Sequence, residues 1–259
     1  MGWIDSHCHL DFPQLAPAQT LLHALSEARC EGVLLPAVSL DSFPRVLQHV
    51  EISRHNIAMP KVYFALGLHP YFYEQHALSH VDELEKWINC EQPHAVGEIG
   101  IDYLLPEETW DAQWELLDAQ LDLAQHHGLP VIIHCRRAHD LLSKRLKQKQ
   151  FKQGGIIHAF SGSSVQAKRY LDLGFALGIG GAVTHHRAKA MQKMVAGLPD
   201  DAYVLETDSP DMAPAFAASK INTPLNLPKI AEFIGSLRIQ GLEEVFEDTN
   251  ANFSRVILP

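Results

Sequence analysis

The amino-acid sequence predicts an α/β fold, a TIM (β/α)8 barrel with closing C-terminal helices, in which residues 1–259 make one barrel domain. Three observations predict it. Eight short apolar, β-rich runs recur along the chain, longer segments of helical character separate them, and the length of 259 residues matches the about 250 that such a barrel takes. Strand–helix alternation implies a parallel sheet, and eight units imply closure. An open doubly wound sheet is the alternative that the same alternation allows.

The eight runs are GWIDSH (2–7), GVLLPAV (32–38), VYFALG (62–67), AVGEIG (95–100), PVIIHC (130–135), GIIHAF (155–160), FALGIGG (175–181) and AYVLET (202–207). They are continuous rather than alternating, as strands buried on both faces are. Among the helical segments, TWDAQWELLDAQLDLAQHHG (109–128) is the clearest. Trp110, Trp114, Leu117, Leu121 and Ala124 fall three and four residues apart and share a face. Thr109 can cap the start, Gly128 can end the helix in a left-handed turn, and Pro130 follows. Similar punctuation stands at Gly32, Gly154–Gly155, Gly174 and Gly197, each read as preceding a strand. Segment 211–228 is irregular and reads as a long loop, and 228–238 and 241–252 read as the closing helices. No Pro-, Gly- or Ser-rich linker, low-complexity segment or internal repeat divides the chain.

Composition narrows the class. Hydrophobic residues make up 46% and charged residues 20%, which describes a well-cored chain rather than a disordered one. No apolar run reaches the about 18–20 residues of a membrane helix, so no membrane partner is expected. The N-terminus lacks a basic region followed by an apolar stretch, so a secretory signal is not expected. Cys8, Cys30, Cys90 and Cys135 form no CxxC pair and read as reduced thiols of a cytoplasmic protein, and a monomer is expected. A net charge of −10 disfavours general phosphate-backbone binding, so bound cations or a local basic patch would have to attract a nucleic acid.

Barrel chemistry sits at the C-terminal ends of the strands. There the apolar runs carry His7 and His9, His69, Glu98, His134, His158 and Asp208; runs two and seven end without a ligand-type residue. A buried charge or imidazole is costly unless paired or metal-bound. A single one is most often a hydrogen-bonded core histidine; six or seven at one end of a barrel point to a metal centre. Alternation along the strand turns His7 and His9 to one side, and Cys8 and Cys135 away into packing positions. The set divides into two sites: His7, His9 and Asp208 for one divalent cation, His134 and His158 for the other, with Glu98 bridging. Imidazoles with carboxylates suit Zn²⁺, or Mn²⁺ and Mg²⁺ as oxygen ligands increase. Two such ions can activate a water and stabilise attacking and leaving oxygens. Asp208 and Glu98 are then the catalytic carboxylates, Asp208 as general base.

Other residues allow two readings. His69 contacts a leaving group or phosphate, or only shapes the loop before Pro70. Arg136 clamps a phosphate or orients Glu98. The run SKRLKQKQFK (143–152), with five basic residues, reads as a solvated helix face rather than a nucleic-acid patch. His126, His127, His185 and His186 need nothing beyond surface placement.

In order, WIDSHCHLD, GLHP, GEIGIDY, PVIIHCRRA, IIHAFSG, ETDSP and DTNANFSRVI resemble the motifs of the TatD family of metal-dependent hydrolases, from residue 3 to about residue 256. The resemblance implies an amidohydrolase-like barrel with one or two divalent metals on His7, His9, Glu98, His134, His158 and Asp208. It implies phosphodiester hydrolysis, often of DNA as a deoxyribonuclease. Relatives on this fold also act on aminoacyl-tRNA esters, so an esterase or amidase on a small molecule or an aminoacyl-tRNA ester stays open. A non-catalytic zinc protein is the third reading, disfavoured because structural zinc sites are closed and usually cysteine-rich. The chain departs from the family at Arg137, where many relatives have an acid, at Ala159, where Cys is common, and at INTP (221–224), which keeps only Asn222 and Pro224 of an RNxP pattern.

Overall fold

The computed structural model describes residues 2–258. Eight strands and nine helices alternate along them: β1 (Trp3–Asp5), α1 (Ala18–Glu27), β2 (Cys30–Pro36), α2 (Phe43–Arg54), β3 (Lys61–Leu66), α3 (His80–Glu91), β4 (Ala95–Asp102), α4 (Trp110–His127), β5 (Val131–Arg136), α5 (His139–Gln148), β6 (Gly155–Ile157), α6 (Ser164–Leu171), β7 (Phe175–Ile179), α7 (Lys189–Ala196), β8 (Tyr203–Leu205), α8 (Leu227–Arg238) and α9 (Leu242–Ile257). The strands are parallel and lie in the order β1 to β8. The seam between β8 and β1 is drawn together by Ser6 N–H donating to Leu205 O at 2.9 Å and Asp208 N–H donating to His7 O at 2.9 Å. This is the TIM barrel expected from the alternation, and the open sheet is excluded.

Strand side chains alternate between two apolar regions, which is why the strands read as unbroken apolar runs. Leu34, Ile132, Ile156 and Val204 point into the barrel; Val33, Leu35, Ile133 and Leu205 point out against the helices. The inner cluster is completed by Phe253, Val256 and Ile257 of α9. That helix therefore plugs one end of the barrel, and it runs five residues past the expected end at 252 because those three side chains bury there. Helix α8 begins at Leu227, one residue before the expected start, and residues 211–223 hold no helix or strand, as expected for the loop.

Helix α4 buries Leu117, Leu121 and Ala124 on the expected face, with Trp110 and Trp114 half-buried beside it. Its ends separate a right expectation from a wrong one. Gly128 adopts the left-handed conformation at φ 67°. Thr109 is already helical at φ −92°, ψ −14° and makes no side-chain cap; its hydroxyl donates back to Pro106 O at 2.6 Å instead. Gly154 and Gly174 are also left-handed, but Gly32 lies within β2 and Gly197 has φ −104°. The turn before β2 falls to Arg29 at φ 62°. The basic run 143–152 lies along α5 and beyond, where Arg145 reaches Asp118 at 3.4 Å and Lys149 reaches Asp122 at 2.7 Å on α4. Lys144, Lys147 and Lys152 are exposed, so the run is a solvated face.

His139 opens α5, buried against Phe160 with its Nδ1 3.2 Å from the Tyr170 hydroxyl. Burial holds its imidazole down at about 4, against the opposing pull of Asp140. A histidine that refuses a proton in the fold accepts one when unfolded, so stability is present above the unfolded value near 6.5 and drains away as pH falls toward 4. We expect up to about 3 kcal/mol to be lost over that window from this residue, with His94, also lowered to about 4, adding in the same direction. Urea unfolding at pH 7, 6, 5 and 4 should show it. An unchanged pH slope in His139→Asn would remove His139 from the cause.

Candidate metal centre

Every residue proposed from the strand ends arrives at one mouth of the barrel, but not all by the expected route. β1 ends at Asp5, so His7 and His9 stand beyond the strand rather than alternating within it. Backbone bonds set them instead: His7 O accepts from Asp208 N at 2.9 Å, His9 N donates to Ser209 O at 2.7 Å, and Cys8 N donates to Leu34 O at 3.1 Å. Cys8 and Cys135 point away into the apolar layer, as expected. His158 follows β6, and Asp208 follows β8 at φ 55°, a left-handed conformation in which Asp is among the tolerated residues. Glu98 and His134 lie within β4 and β5. Gly100 lets those two strands meet closely, since a Cβ there would lie 1.9 Å from His134 O.

Glu98 is the centre of the arrangement and is 2% exposed. Its Oε2 lies 3.2 Å from His7 Nε2 and 3.4 Å from His9 Nε2. The two imidazole nitrogens are 3.2 Å apart, and Asp208 Oδ1 is 3.6 and 3.7 Å from them. Its other oxygen, Oε1, lies 2.9 Å from His158 Nε2, 3.4 Å from His134 Nδ1 and 3.0 Å from His69 Nε2. His134 Nδ1 and His158 Nε2 are 3.4 Å apart. Four donors around a zinc ion at 2.0–2.1 Å would be spaced at about 3.3 Å, so both groups have the separations of a ligand shell. Neutral imidazole nitrogens facing one another at these distances cannot all hydrogen-bond; a shared cation satisfies every lone pair at once. The donor set fits divalent metal.

His69 shapes the loop before Pro70, one of its two readings, and also turns toward the centre. Its Nδ1 accepts from Tyr71 N at 3.0 Å, which caps the turn Pro70–Gln75. Its Nε2 faces Glu98, so it joins Glu98 and His134 in a third grouping of ligand-type atoms within 4.8 Å of one another. Arg136 is exposed at the end of β5, and the ion-pair partners of Glu98 are the five histidines. Its charge instead helps hold Asp102 low.

The charges follow from burial set against these contacts. Burial opposes ionisation of Glu98, but the fields of His69, His158 and His7 outweigh it and hold the carboxyl well below its ordinary value. Burial and the neighbouring His158 keep His7 well below its ordinary value, and burial takes His69 down to about 4. His9, His134 and His158 are raised, because their carboxylate partners overcome the burial. Burial pushes Asp208 up to about 6, against the lowering fields of His158 and His9.

Three carboxylates escaped the sequence reading. Asp102 Oδ2 accepts from His134 Nε2 at 3.1 Å, leaving Nδ1 free to face Glu98. Glu206 Oε1 accepts from Ala159 N at 2.6 Å and lies 3.7 Å from His158 Nδ1. Asp5 accepts from the Thr207 hydroxyl at 2.5 Å and from Thr207 N at 3.0 Å, tying β1 to the segment that carries Asp208. The signal was there for two of them: Asp102 lies four residues after Glu98 on the same strand, and Glu206 is two before Asp208. Asn222, which the departing INTP stretch retains, is buried; its amide donates to Thr207 O at 2.8 Å and so fastens the 211–223 loop behind Asp208. Arg137 is exposed at φ 56°.

Comparison with known proteins gives the family and the fold. The family described as TatD related DNase matches residues 4–258. A metal-dependent hydrolase from Escherichia coli K12, YjjV, is 35% identical over 246 residues, covering 94% of this chain and 93% of its own. A metal-dependent hydrolase from Haemophilus influenzae is 33% identical over 268 residues, covering 99% of each. The crystal structure of YjjV superimposes with a TM-score of 0.90 at 33% identity over 99% of this chain and 98% of that one. A TatD family hydrolase from Entamoeba histolytica, 19% identical, shares the fold with a TM-score of 0.85, covering 100% of this chain and 99% of its own. The chain belongs to the TatD family of metal-dependent hydrolases.

Proposed function

We propose that this protein is a divalent-metal-dependent phosphodiesterase acting on DNA, a deoxyribonuclease of the TatD type. The observation that carries the reading is Glu98, whose two oxygens face two separate groups of imidazole nitrogens at 2.9–3.4 Å. His7, His9, Asp208 and Glu98 would hold one cation; Glu98, His134 and His158 would hold the other, with His69 beside them. Ions bound there would supply Lewis acidity toward a phosphoryl oxygen and lower the pKa of a water.

The chain's own groups do the rest. Asp208 has a side chain 16% exposed against 2% for Glu98, so it is the acid that can meet solvent and accept a proton. Burial raises its carboxyl to about 6 in the metal-free fold, and a bound cation would lower it. Asp102 holds the proton on His134 Nε2 and keeps Nδ1 as the donor lone pair. Arg136, exposed at the mouth end of β5, would meet a phosphate oxygen in this reading. We expect Asp102→Asn to weaken metal binding by about 10–100-fold, since an amide can present a proton to that nitrogen and turn the imidazole over. Metal titration of the stripped variant checks this; wild-type affinity would take Asp102 out of the site.

The deciding experiment is hydrolysis of single- and double-stranded DNA by metal-free protein with Mg²⁺, Mn²⁺ or Zn²⁺ restored. Metal-dependent release of nucleotides supports the reading. No cleavage by protein that binds two ions would overturn it and turn the search to ester or amide substrates, which a net charge of −10 repels less than DNA.

A further inference from the structure

Among the described residues, four groupings of three or more His, Cys, Asp or Glu side chains bring their ligand atoms within 4.8 Å of one another. Three belong to the barrel mouth. The fourth, Glu85, His126 and His127, lies outside the barrel where α3 packs on α4. The geometry points to a second, peripheral transition-metal site there, formed by Glu85 from α3 and the two imidazoles that end α4, and taking a borderline divalent ion such as Zn²⁺.

Adjacent residues on a helix normally point about 100° apart and do not meet. Here the rings of His126 and His127 are 5.0 Å apart between centroids and at 88° to each other. Both offer a nitrogen to the space that Glu85 enters. His127 Nε2 lies 3.2 Å from Glu85 Oε1, close to the about 3.3 Å edge of a tetrahedral zinc shell. Two imidazoles and a carboxylate are a borderline-ion donor set, with Cu²⁺ bound more tightly than Zn²⁺. The end of a helix adds its own field: α4 runs 18 residues, and its C-terminal carbonyls favour positive charge. The site is reachable, since the Glu85 side chain is 43% exposed and that of His127 18%. With three protein donors, a fourth position stays open to water. An ion there would fasten the middle of α3 to the end of α4, and would stabilise the fold by mass action.

The test compares the zinc content of wild type, the His126→Gln/His127→Gln double variant and Glu85→Gln, after equilibrium dialysis against Zn²⁺. All three keep every residue of the barrel mouth, so the difference between them is independent of what the mouth binds. The double variant should hold one zinc equivalent fewer than wild type, and Glu85→Gln should bind that equivalent at least about tenfold more weakly. In wild type, Zn²⁺ should shield His126 and His127 from diethylpyrocarbonate, read by peptide mass; this measurement needs no variant to fold. Equal zinc content in wild type and double variant overturns the proposal, leaving Glu85–His127 an ion pair only; unchanged reactivity of the two imidazoles with Zn²⁺ present overturns it as well.

Discussion

Asp208→Asn is expected to lower hydrolysis by about 10²–10⁴-fold while leaving the fold and most of the bound metal in place. The amide has nearly the shape of the carboxylate and keeps one oxygen for the position 3.6 Å from His7 Nε2 and 3.7 Å from His9 Nε2. What it lacks is the ability to take a proton. The backbone around it is held independently of the side chain, by Asp208 N donating to His7 O at 2.9 Å and Asp211 N donating to Asp208 O at 2.8 Å. The loss should therefore fall on kcat, with KM little changed. Single-turnover rates beside metal analysis of the same samples make the check. A variant with full metal content and a rate within about threefold of wild type would show that another group takes the proton.

Glu98→Gln should have the larger effect on metal. Glu98 presents an acceptor oxygen to each donor group, Oε2 toward His7 and His9 and Oε1 toward His134 and His158. Glutamine replaces one of them with an NH₂ that donates, and removes the negative charge that offsets two cations. Both ions should weaken by at least about 100-fold, beyond what loss of a supporting hydrogen bond costs. Activity should then fall to background at metal concentrations that saturate wild type. The same charge supports His9, His134 and His158 in their raised state, so their imidazoles should titrate lower in the metal-free variant. Isothermal titration with Mn²⁺ and Zn²⁺ reads the affinities, and NMR of the imidazoles reads the titration. Two ions bound with wild-type affinity would refute the bridging role.

Much of this was legible in the chain because it rests on short-range chemistry. An apolar run such as PVIIHC (130–135) reports a strand buried on both faces wherever it sits, and a barrel requires all eight to be so. The polar residues at the run ends stood out because burial without a partner is costly, and that held for His7, His9, Glu98, His134, His158 and Asp208 alike. Gly128 could be placed because a left-handed residue is needed there whatever packs around it.

What needed the tertiary structure depends on groups distant in sequence. His7 and His9 are aimed by backbone bonds to residues 208 and 209 rather than by strand alternation. His69 divides its two nitrogens between Tyr71 and Glu98, and no local rule assigns them. Asp102, Glu206 and Asp5 became part of the site only once His134, His158 and Thr207 were beside them. Helix α9 ends where it does because Phe253, Val256 and Ile257 fill the open end of the barrel, a space that exists only after the strands close. His126 and His127 read as surface residues in one dimension and meet Glu85 only across the α3–α4 contact. The sequence by itself determined which residues must be buried and which polar groups would need partners there; the closure of the barrel determined which partners they meet, because hydrogen bonds and ligand shells depend on distances that only packing sets.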